Sequence, residues 1–414
     1  MMNANTPKTI VVLATFDTKG AECVYLRDEI IRLDAIPLMI DIGVVRDAEI
    51  PADITSSEVA VSGGSTLEEL RQNPSREIAS EVMVKGATSL LSQFVADDRV
   101  DGIVSLGGTQ GTGNCSRVMR ALPYGFPKVM VSTMASGDVS GYVGIKDVTM
   151  MFSVSDILGL SPLLRSILSN AAGAVVGMAN ASRPIKFTSD KPVVGITNLG
   201  ALTRGTMRAI EKFGERGFET MVFHAVGSGG RAMEQLMRDG IIHAVFDFAL
   251  GDILDAMCGG IRAADADRLK VAGQLGVPQV VVPGGTDHIG ILLSEPNTIP
   301  DAYKDRKSTF HNPYILVPRT SGDELERLSK VIAERLSGAK GPVTVMIPTK
   351  GLSSYSVPGA PLEDTAADAR FFQALRRDTS LPLIEIDAAA EDPAFIDAAV
   401  DELVRLVSES RMVA

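Results

Sequence analysis

The chain has no tryptophan and little sulfur chemistry, with only three cysteines in 414 residues. Cys23, Cys115 and Cys258 are far apart in the sequence and form no CxxC pair. This scarcity excludes a disulfide framework and a thiolate zinc site, and it fits a reducing compartment.

Long hydrophobic runs are also missing. The most apolar stretch, "AAGAVVGMANA" at 171–181, is too short and too rich in small residues to span a bilayer. The N-terminus runs into a strand pattern without a basic segment or a cleavage site, so we expect no signal peptide and a cytoplasmic protein. A net charge of −11 argues against nucleic acid and anionic membranes as partners.

What the chain does have is a repeated alternation of short β-branched runs and helical patterns, which is typical of parallel sheets flanked by helices. The length fits two domains of about 200 residues. The segment 182–192, "SRPIKFTSDKP", is polar with two prolines. We therefore predict an α/β fold of two Rossmann-like domains, residues 1–185 and 192–414, each with a mainly parallel sheet and with a ligand cleft between them. In the first half we also expect a strand at "GYVGIK", residues 141–146.

The sequence "SLGGTQGTGN" at 105–114 places four glycines between a predicted strand and a predicted helix. Such a loop lets backbone amides and a helix N-terminus face an anion. The spacing matches neither GxGxxG nor GxxxxGK[ST], so a phosphate cradle here is of another type. The alternative is that these glycines form ordinary tight turns.

Three further segments, "ATFDTKG", "VSGGST" and "VSTMASGD", are predicted to lie at the ends of neighbouring strands and could join the same anion site. The candidate cofactor-binding residues are Thr15, Asp17, Thr18, Lys19, Gly63, Gly64, Ser65, Gly107, Gly108, Thr109, Gly111, Thr112, Ser132, Ser136 and Gly137.

An ordered set of motifs along nearly the whole chain resembles the Tm-one-like ATP-binding family, relatives of the N-terminal region of the tomato mosaic virus resistance protein. The motifs are "LATFDTKG", "GGTQGTG", "FHAVGSGGRAMEQL", "GGIRA" at 259–263, "PQVVVPGGTDH", "HNPYILVPRT" and "IPTKGLS". The resemblance implies two α/β domains, ATP bound by the first, and a homodimer. Members carry a His-Ile-Asn-Asp-Pro element near the C-terminus, whereas this chain has "AAAEDP" at 388–393.

In the second half, His224, His288 and His311 each fall at a predicted strand end, where residues of a parallel sheet converge. Asp252 and Asp255 are three residues apart, so on a helix they share a face that could bind a hard cation such as Mg²⁺; a helix N-terminus that favours carboxylates is the alternative. We predict His224, His288 and Asp252 as catalytic residues. The candidate substrate-binding residues are Gly229, Gly230, Gly285, His311 and Lys350.

These features favour an ATP-using enzyme that acts on a small anionic metabolite, with ATP and Mg²⁺ in the first domain and the metabolite in the second. Two alternatives stay open. One is a nucleotide-binding regulatory or partner-binding protein without turnover. The other is a lyase or hydrolase in the second domain, with ATP in a structural role.

Overall fold

A computed structural model describes residues 6–72, 74–183, 185 and 191–413. The chain divides into two compact units, Met1–Lys186 (the first unit) and Phe187–Ala414 (the second unit). The predicted linker at 182–192 lies largely outside the described residues.

The first unit is built on a five-stranded, fully parallel sheet with the order β2-β1-β3-β4-β5. Its strands are β1 (Thr9–Ala14), β2 (Ile36–Asp41), β3 (Gly102–Gly107), β4 (Lys128–Ser132) and β5 (Thr149–Phe152). Its helices are α1 (Phe16–Arg32), α2 (Ser56–Gly63), α3 (Leu67–Gln72), α4 (Arg76–Ala96), α5 (Thr109–Ala121), α6 (Ser140–Val143) and α7 (Pro162–Ala181).

Alternate residues of β1 contribute to two separate cores. Ile10 and Val12 pack with α1 and α7 on one face, and Val11 and Leu13 pack with α2, α4 and α5 on the other. Because both faces are covered, the central strands are mostly apolar, as expected for a parallel sheet.

The second unit contains a six-stranded parallel sheet with the order β14-β13-β9-β8-β6-β7 and a small antiparallel sheet with the order β10-β12-β11. Its strands are β6 (Val193–Asn198), β7 (Glu219–His224), β8 (Ala244–Ala249), β9 (Gln279–Gly284), β10 (Ile291–Leu292), β11 (Ser308–Asn312), β12 (Ile315–Pro318), β13 (Val343–Pro348) and β14 (Leu383–Ile386). Its helices are α8 (Thr203–Glu215), α9 (Ser228–Arg238), α10 (Gly251–Cys258), α11 (Val271–Leu275), α12 (Gly322–Leu336), α13 (Thr365–Asp378) and α14 (Pro393–Val413).

The predicted α/β class with two mainly parallel sheets is confirmed. Across the described helices, none combines the length and apolarity needed to cross a membrane.

Three local predictions are wrong. "GYVGIK" is not a strand, because residues 140–143 form the single turn of α6 and the edge strand begins at Thr149. "VSGGST" forms the end of a helix instead of following a strand: Thr55 and Glu58 form a capping box that starts α2, and Gly64 ends α2 with φ +94°. His311 lies inside the antiparallel strand β11 and not at the end of a strand of the parallel sheet.

Candidate functional site

The strand order of the first unit creates one natural place for a ligand. The chain leaves β1 toward β2 on one side of the sheet and leaves β3 toward β4 on the other. The connections after β1 and β3 therefore diverge and leave a crevice beyond the carboxyl ends of these two neighbouring strands.

A cavity of about 600 Å³ lies at this point, within the range of small-molecule sites. It includes eight of the predicted cofactor-binding residues: Thr15, Asp17, Thr18, Lys19, Gly107, Gly108, Thr109 and Gly111. The structure thus brings the loops "ATFDTKG" and "GGTQGTG" together around one space.

The glycines where β3 passes into α5 are present for different reasons. A Cβ on Gly107 would lie 2.9 Å from Cα of Gly111, so the close approach of helix to strand requires glycine there. Gly108 and Gly111 are different, because a Cβ on either would meet its nearest atom at 3.9 or 3.7 Å. Packing does not require them to be glycine, and both line the cavity.

The N-terminus of α5 faces this cavity without a capping side chain. Gly108 is its N-cap residue and has no side chain to bond the amides of the first turn. These amides carry the positive end of the helix dipole, so the loop favours an anion.

Asp17 holds the opposite wall in place. It is 4% exposed, and its Oδ2 accepts hydrogen bonds from the amides of Val45 and Arg46 at 2.9 and 3.3 Å. Its Oδ1 has no partner among the described residues. The carboxylate fixes the loop after β2, so its main contribution here is to the shape of the cavity.

Cations outnumber carboxylates around the cavity, although the whole chain is acidic. Lys19 donates a hydrogen bond to the carbonyl of Ile157, Arg71 donates to the carbonyl of Val44, and the exposed Arg76 begins α4. Asp17 is the acidic residue that lines the same space. This local excess of positive charge favours an anionic ligand.

Sequence reasoning missed the apolar wall of the cavity. This wall comes from the loop after β2 and from α3 and α4, and its residues are Ile42, Val44, Val45, Leu70, Pro74, Ala79 and Met83. The position of β2 could have indicated this wall. Because β2 pairs with β1, the segment that follows β2 lies at the same edge of the sheet as the segment that follows β1.

Seven predicted cofactor-binding residues do not line this cavity: Gly63, Gly64, Ser65, Thr112, Ser132, Ser136 and Gly137. A Cβ on Gly63 would lie 2.1 Å from the carbonyl oxygen of Val82, so α2 packs directly on α4 there. The buried hydroxyls of Thr112 and Ser132 bond each other at 2.7 Å. Packing therefore accounts for these three residues.

The second unit repeats the topology, since β6 leads to β7 on one side and β8 leads to β9 on the other. Its crevice is filled by apolar side chains. Leu199 is 3% exposed, and a Cβ on Gly251 or Gly285 would lie 2.9 or 2.7 Å from its Cδ1. The glycine at 285 is thus explained by its contact with Leu199.

A carboxylate of the chain itself occupies the N-terminus of α8. Glu391 is 8% exposed and accepts hydrogen bonds from the amides of Arg204 and Gly205 at 2.8 and 3.2 Å. This residue belongs to the "AAAEDP" element, and it satisfies the amides that an anionic ligand would use.

The other two predicted substrate-binding glycines also have packing contacts. A Cβ on Gly229 would lie 2.0 Å from the carbonyl oxygen of His224, and one on Gly230 would lie 2.9 Å from Cδ of Arg268. Their role in binding a substrate stays a prediction.

His288 is buried within a polar network. Its Nε2 lies 3.1 Å from Nη1 of Arg262, and its Nδ1 lies 3.1 Å from Oδ1 of Asp287. A guanidinium cannot accept a hydrogen bond, so Nε2 is the acceptor and the proton is on Nδ1. Both ring nitrogens are therefore engaged.

Asp287 anchors the same network. Burial alone would raise its pKa, but His288, Arg319 and the hydroxyl of Ser353 together hold the pKa below its usual value. The hydroxyl of Ser353 donates to Oδ2 at 2.6 Å. The arrangement ties the ends of β9, β12 and β13 together.

Asp252 is fully buried and paired with Arg268 at 2.9 Å, and Asp255 is paired with Arg262 at 2.8 Å. Both carboxylates predicted to bind a cation are thus ion-paired with arginines, and Arg268 also pairs with Asp247 at 2.6 Å. Among the described residues, no group of three or more His, Cys, Asp or Glu side chains is placed to hold a metal ion.

His224, His311 and Lys350 are exposed. His224 ends β7 as predicted, and its Nδ1 lies 3.0 Å from the carbonyl oxygen of Asn198, which leaves Nε2 facing away from that bond. Lys350 pairs with Asp387 at 3.0 Å. Among the described residues, no hydrogen bond or ion pair joins any of these three side chains to His288.

Comparison with known proteins gives the family. The model of the uncharacterised protein family UPF0261 matches with its N-terminal domain at residues 8–184 and with its C-terminal domain at residues 191–407. A UPF0261 protein from Clostridium tetani is 38% identical over 97% of this chain and all of its own length. A second, from Rhizobium meliloti, is 37% identical over 95% of this chain and 98% of its own length.

The ToMV resistance protein Tm-1(GCR237) from Solanum lycopersicum is 34% identical over 82% of this chain, which corresponds to 46% of the tomato protein. The resemblance predicted from the motifs is confirmed by this match.

Proposed function

Because the chain belongs to the uncharacterised family UPF0261, we propose, from its own structure, that it is a nucleotide-binding protein that holds ATP in the cavity of the first unit. The observation that carries this proposal is the uncapped, glycine-rich start of α5 at the β1/β3 switch point. A phosphate group there would meet free amides and the positive end of a 13-residue helix.

The rest of the cavity fits the rest of a nucleotide. Thr15, Thr18 and Thr109 add hydroxyl groups near the amides, and Lys19 adds a positive charge. The apolar wall formed by residues 42–45 and by α4 suits a base. ATP, when bound, would supply a transferable phosphoryl group; Mg²⁺ as its companion ion stays a prediction.

The test uses three valine substitutions at the start of α5. Gly108→Val and Gly111→Val add side chains into the cavity where a Cβ fits, whereas Gly113→Val adds one on α5 at a position that does not line this cavity and where nothing lies within 4 Å of the added Cβ. ATP at 100 times its Kd should stabilise the wild type and Gly113→Val by about 2.7 kcal/mol, seen as a higher melting temperature.

Gly108→Val and Gly111→Val should lose that increase while melting near the wild-type temperature without ATP. Equal stabilisation of all four proteins would refute the site. A variant that melts early without ATP would be replaced by alanine at the same position, which adds only the Cβ that the structure accommodates.

For turnover, two candidates compete. The structure favours a nucleotide-binding protein without turnover in one respect: His288 and Asp252 are both tied to arginines and are not poised for acid–base work. An ATP-using enzyme on a small anionic metabolite, our initial expectation, would have to rely on other groups, of which the exposed His224 is one. Phosphate release and mass-shift screening with ATP, Mg²⁺ and a panel of small organic acids separates the two.

A further inference from the structure

We infer that the cavity of the first unit accepts a nucleotide with a phosphate on its ribose in addition to its 5′-phosphate, and that Arg71 binds this second phosphate. The inference rests on the proposed function, because it assumes that the 5′-phosphate lies at the start of α5.

The first observation concerns the acidic residue at the end of β2. In open parallel nucleotide-binding sheets, an Asp or Glu there commonly bonds the ribose hydroxyls, and an arginine nearby accommodates a ribose phosphate instead. Here the residue is Asp41, but it is 3% exposed, and its Oδ1 accepts from the amides of Phe16 and Gly43 at 2.9 and 2.8 Å. It does not line the cavity, so it is not available to a ribose.

An arginine takes that place. Arg71 extends from α3 to the loop after β2, where its Nε donates to the carbonyl of Val44 at 2.8 Å and its Nη1 donates to Asp47 at 2.8 Å. Its Nη2 is buried and has no hydrogen-bond partner among the described residues. A buried donor without a partner is costly. Arg71 lines the cavity, so a guanidinium that turns from Asp47 toward a ligand oxygen would give this donor a partner.

The partner that Arg71 already has is a weak one. The side chain of Asp47 is 89% exposed, and exposed ion pairs contribute little. A phosphate that enters the cavity can therefore compete with Asp47 for the guanidinium, whose planar fork binds phosphate in two-point fashion. Arg76, which also lines the cavity, adds positive charge at the same end.

The sheet sets the distance between the two ends. β1 lies between β2 and β3, so the loop after β2 and the start of α5 are two strand spacings apart, roughly 10 Å. A single phosphate group cannot contact both. A ligand that uses both ends needs two separated anionic groups, with the apolar wall of residues 42–45 beside the part that joins them.

The test compares AMP, ATP, adenosine 2′,5′-bisphosphate and adenosine 3′,5′-bisphosphate by calorimetry on the full chain at one ionic strength. We expect one of the bisphosphates to bind at least about tenfold more tightly than AMP, the gain of one charge-assisted hydrogen-bonded contact. Arg71→Met should abolish that gain while it weakens AMP binding much less, and Arg71→Lys should keep part of the gain.

Arg117→Met is the matched control, since Arg117 is also partly exposed and paired with a glutamate of α4 but does not line the cavity. If Arg71→Met does not fold, Asp47→Asn replaces it. Removing this competing carboxylate should tighten bisphosphate binding by about threefold without changing AMP binding.

Several outcomes would overturn the inference. One is that the bisphosphates bind no more tightly than AMP, and another is that their gain in affinity survives Arg71→Met. The third is that Arg71→Met weakens the binding of ATP alone, which would assign the arginine to a polyphosphate chain. In all of these, AMP or ATP still binds and the proposed function stands. If none of the four nucleotides binds, the proposed function itself fails.

Discussion

His288 gives the sharpest test of whether the second unit carries chemistry or only a polar core. Replacing it by asparagine removes a hydrogen bond to the carboxylate of Asp287, a hydrogen bond from Arg262, and an edge-to-face contact with Tyr355 at 5.2 Å. The shorter asparagine side chain cannot reach Asp287 and Arg262 at once, so at least one of these buried charged groups loses a hydrogen bond.

The magnitude follows from these contacts. A hydrogen bond to a charged group contributes about 1.5–3 kcal/mol, and the ring contact adds about 0.5–1.5 kcal/mol. Asp287 keeps Ser353 and Arg262 keeps Asp255, which reduces the loss. We expect His288→Asn to destabilise the second unit by roughly 2–4 kcal/mol, which for a unit of this size lowers its melting temperature by roughly 5–15 °C.

Calorimetry on the full chain, with ATP binding measured on the same preparation, tests this expectation. The control is His224→Asn, because His224 is exposed and has a single recorded hydrogen bond, to a carbonyl. A His288→Asn protein that melts like the wild type but has lost a turnover activity would refute our reasoning and restore His288 as a catalytic residue.

Two further predictions concern pH and assembly. Burial raises the pKa of Glu234 to about 7, so this group stabilises the fold below its unfolded pKa and the contribution is lost as pH rises through 7. Glu234→Gln can still accept from the amide of Leu269, so between pH 5 and 8 its free energy of unfolding, measured by urea titration, should fall by about 3 kcal/mol less than that of the wild type. Equal falls in the two proteins would contradict this prediction. The homodimer that the family resemblance implies should give a light-scattering mass of about twice 43.8 kDa at micromolar concentration, and a mass of one chain would exclude it.

Local patterns were enough to predict the strand–helix alternation and two of the loops that line the cavity. "ATFDTKG" and "GGTQGTG" follow apolar runs directly, and the strands before them are neighbours in the sheet. The edge strand β5 could not be found in this way, because "TMMF" is short and has a single β-branched residue, Thr149.

Other features depend on contacts between segments that are distant in the sequence. Gly63 was predicted to approach a ligand, but it lies against Val82 of a later helix. Arg71 showed no local sign of a binding role, since its place beside Val44 depends on how α3 packs near the loop after β2. Glu391 reaches the start of α8 from 187 residues away.

The two sheets share the same strand order around their first and third strands, yet the crevices beyond them differ. In the first unit, Thr15 and Asp17 follow β1, and their polar side chains leave space next to a glycine loop. In the second unit, Leu199 and Leu202 follow β6 within a short 3₁₀ turn, and both are buried against the glycines after β8 and β9. Topology therefore supplies a crevice in each unit, and the side chains of the first strand-to-helix connection decide whether it stays open. By this reasoning a ligand that reaches the switch point of the second unit would have to displace two leucines and Glu391, whereas in the first unit it would displace no more than the exposed Asp47 from Arg71.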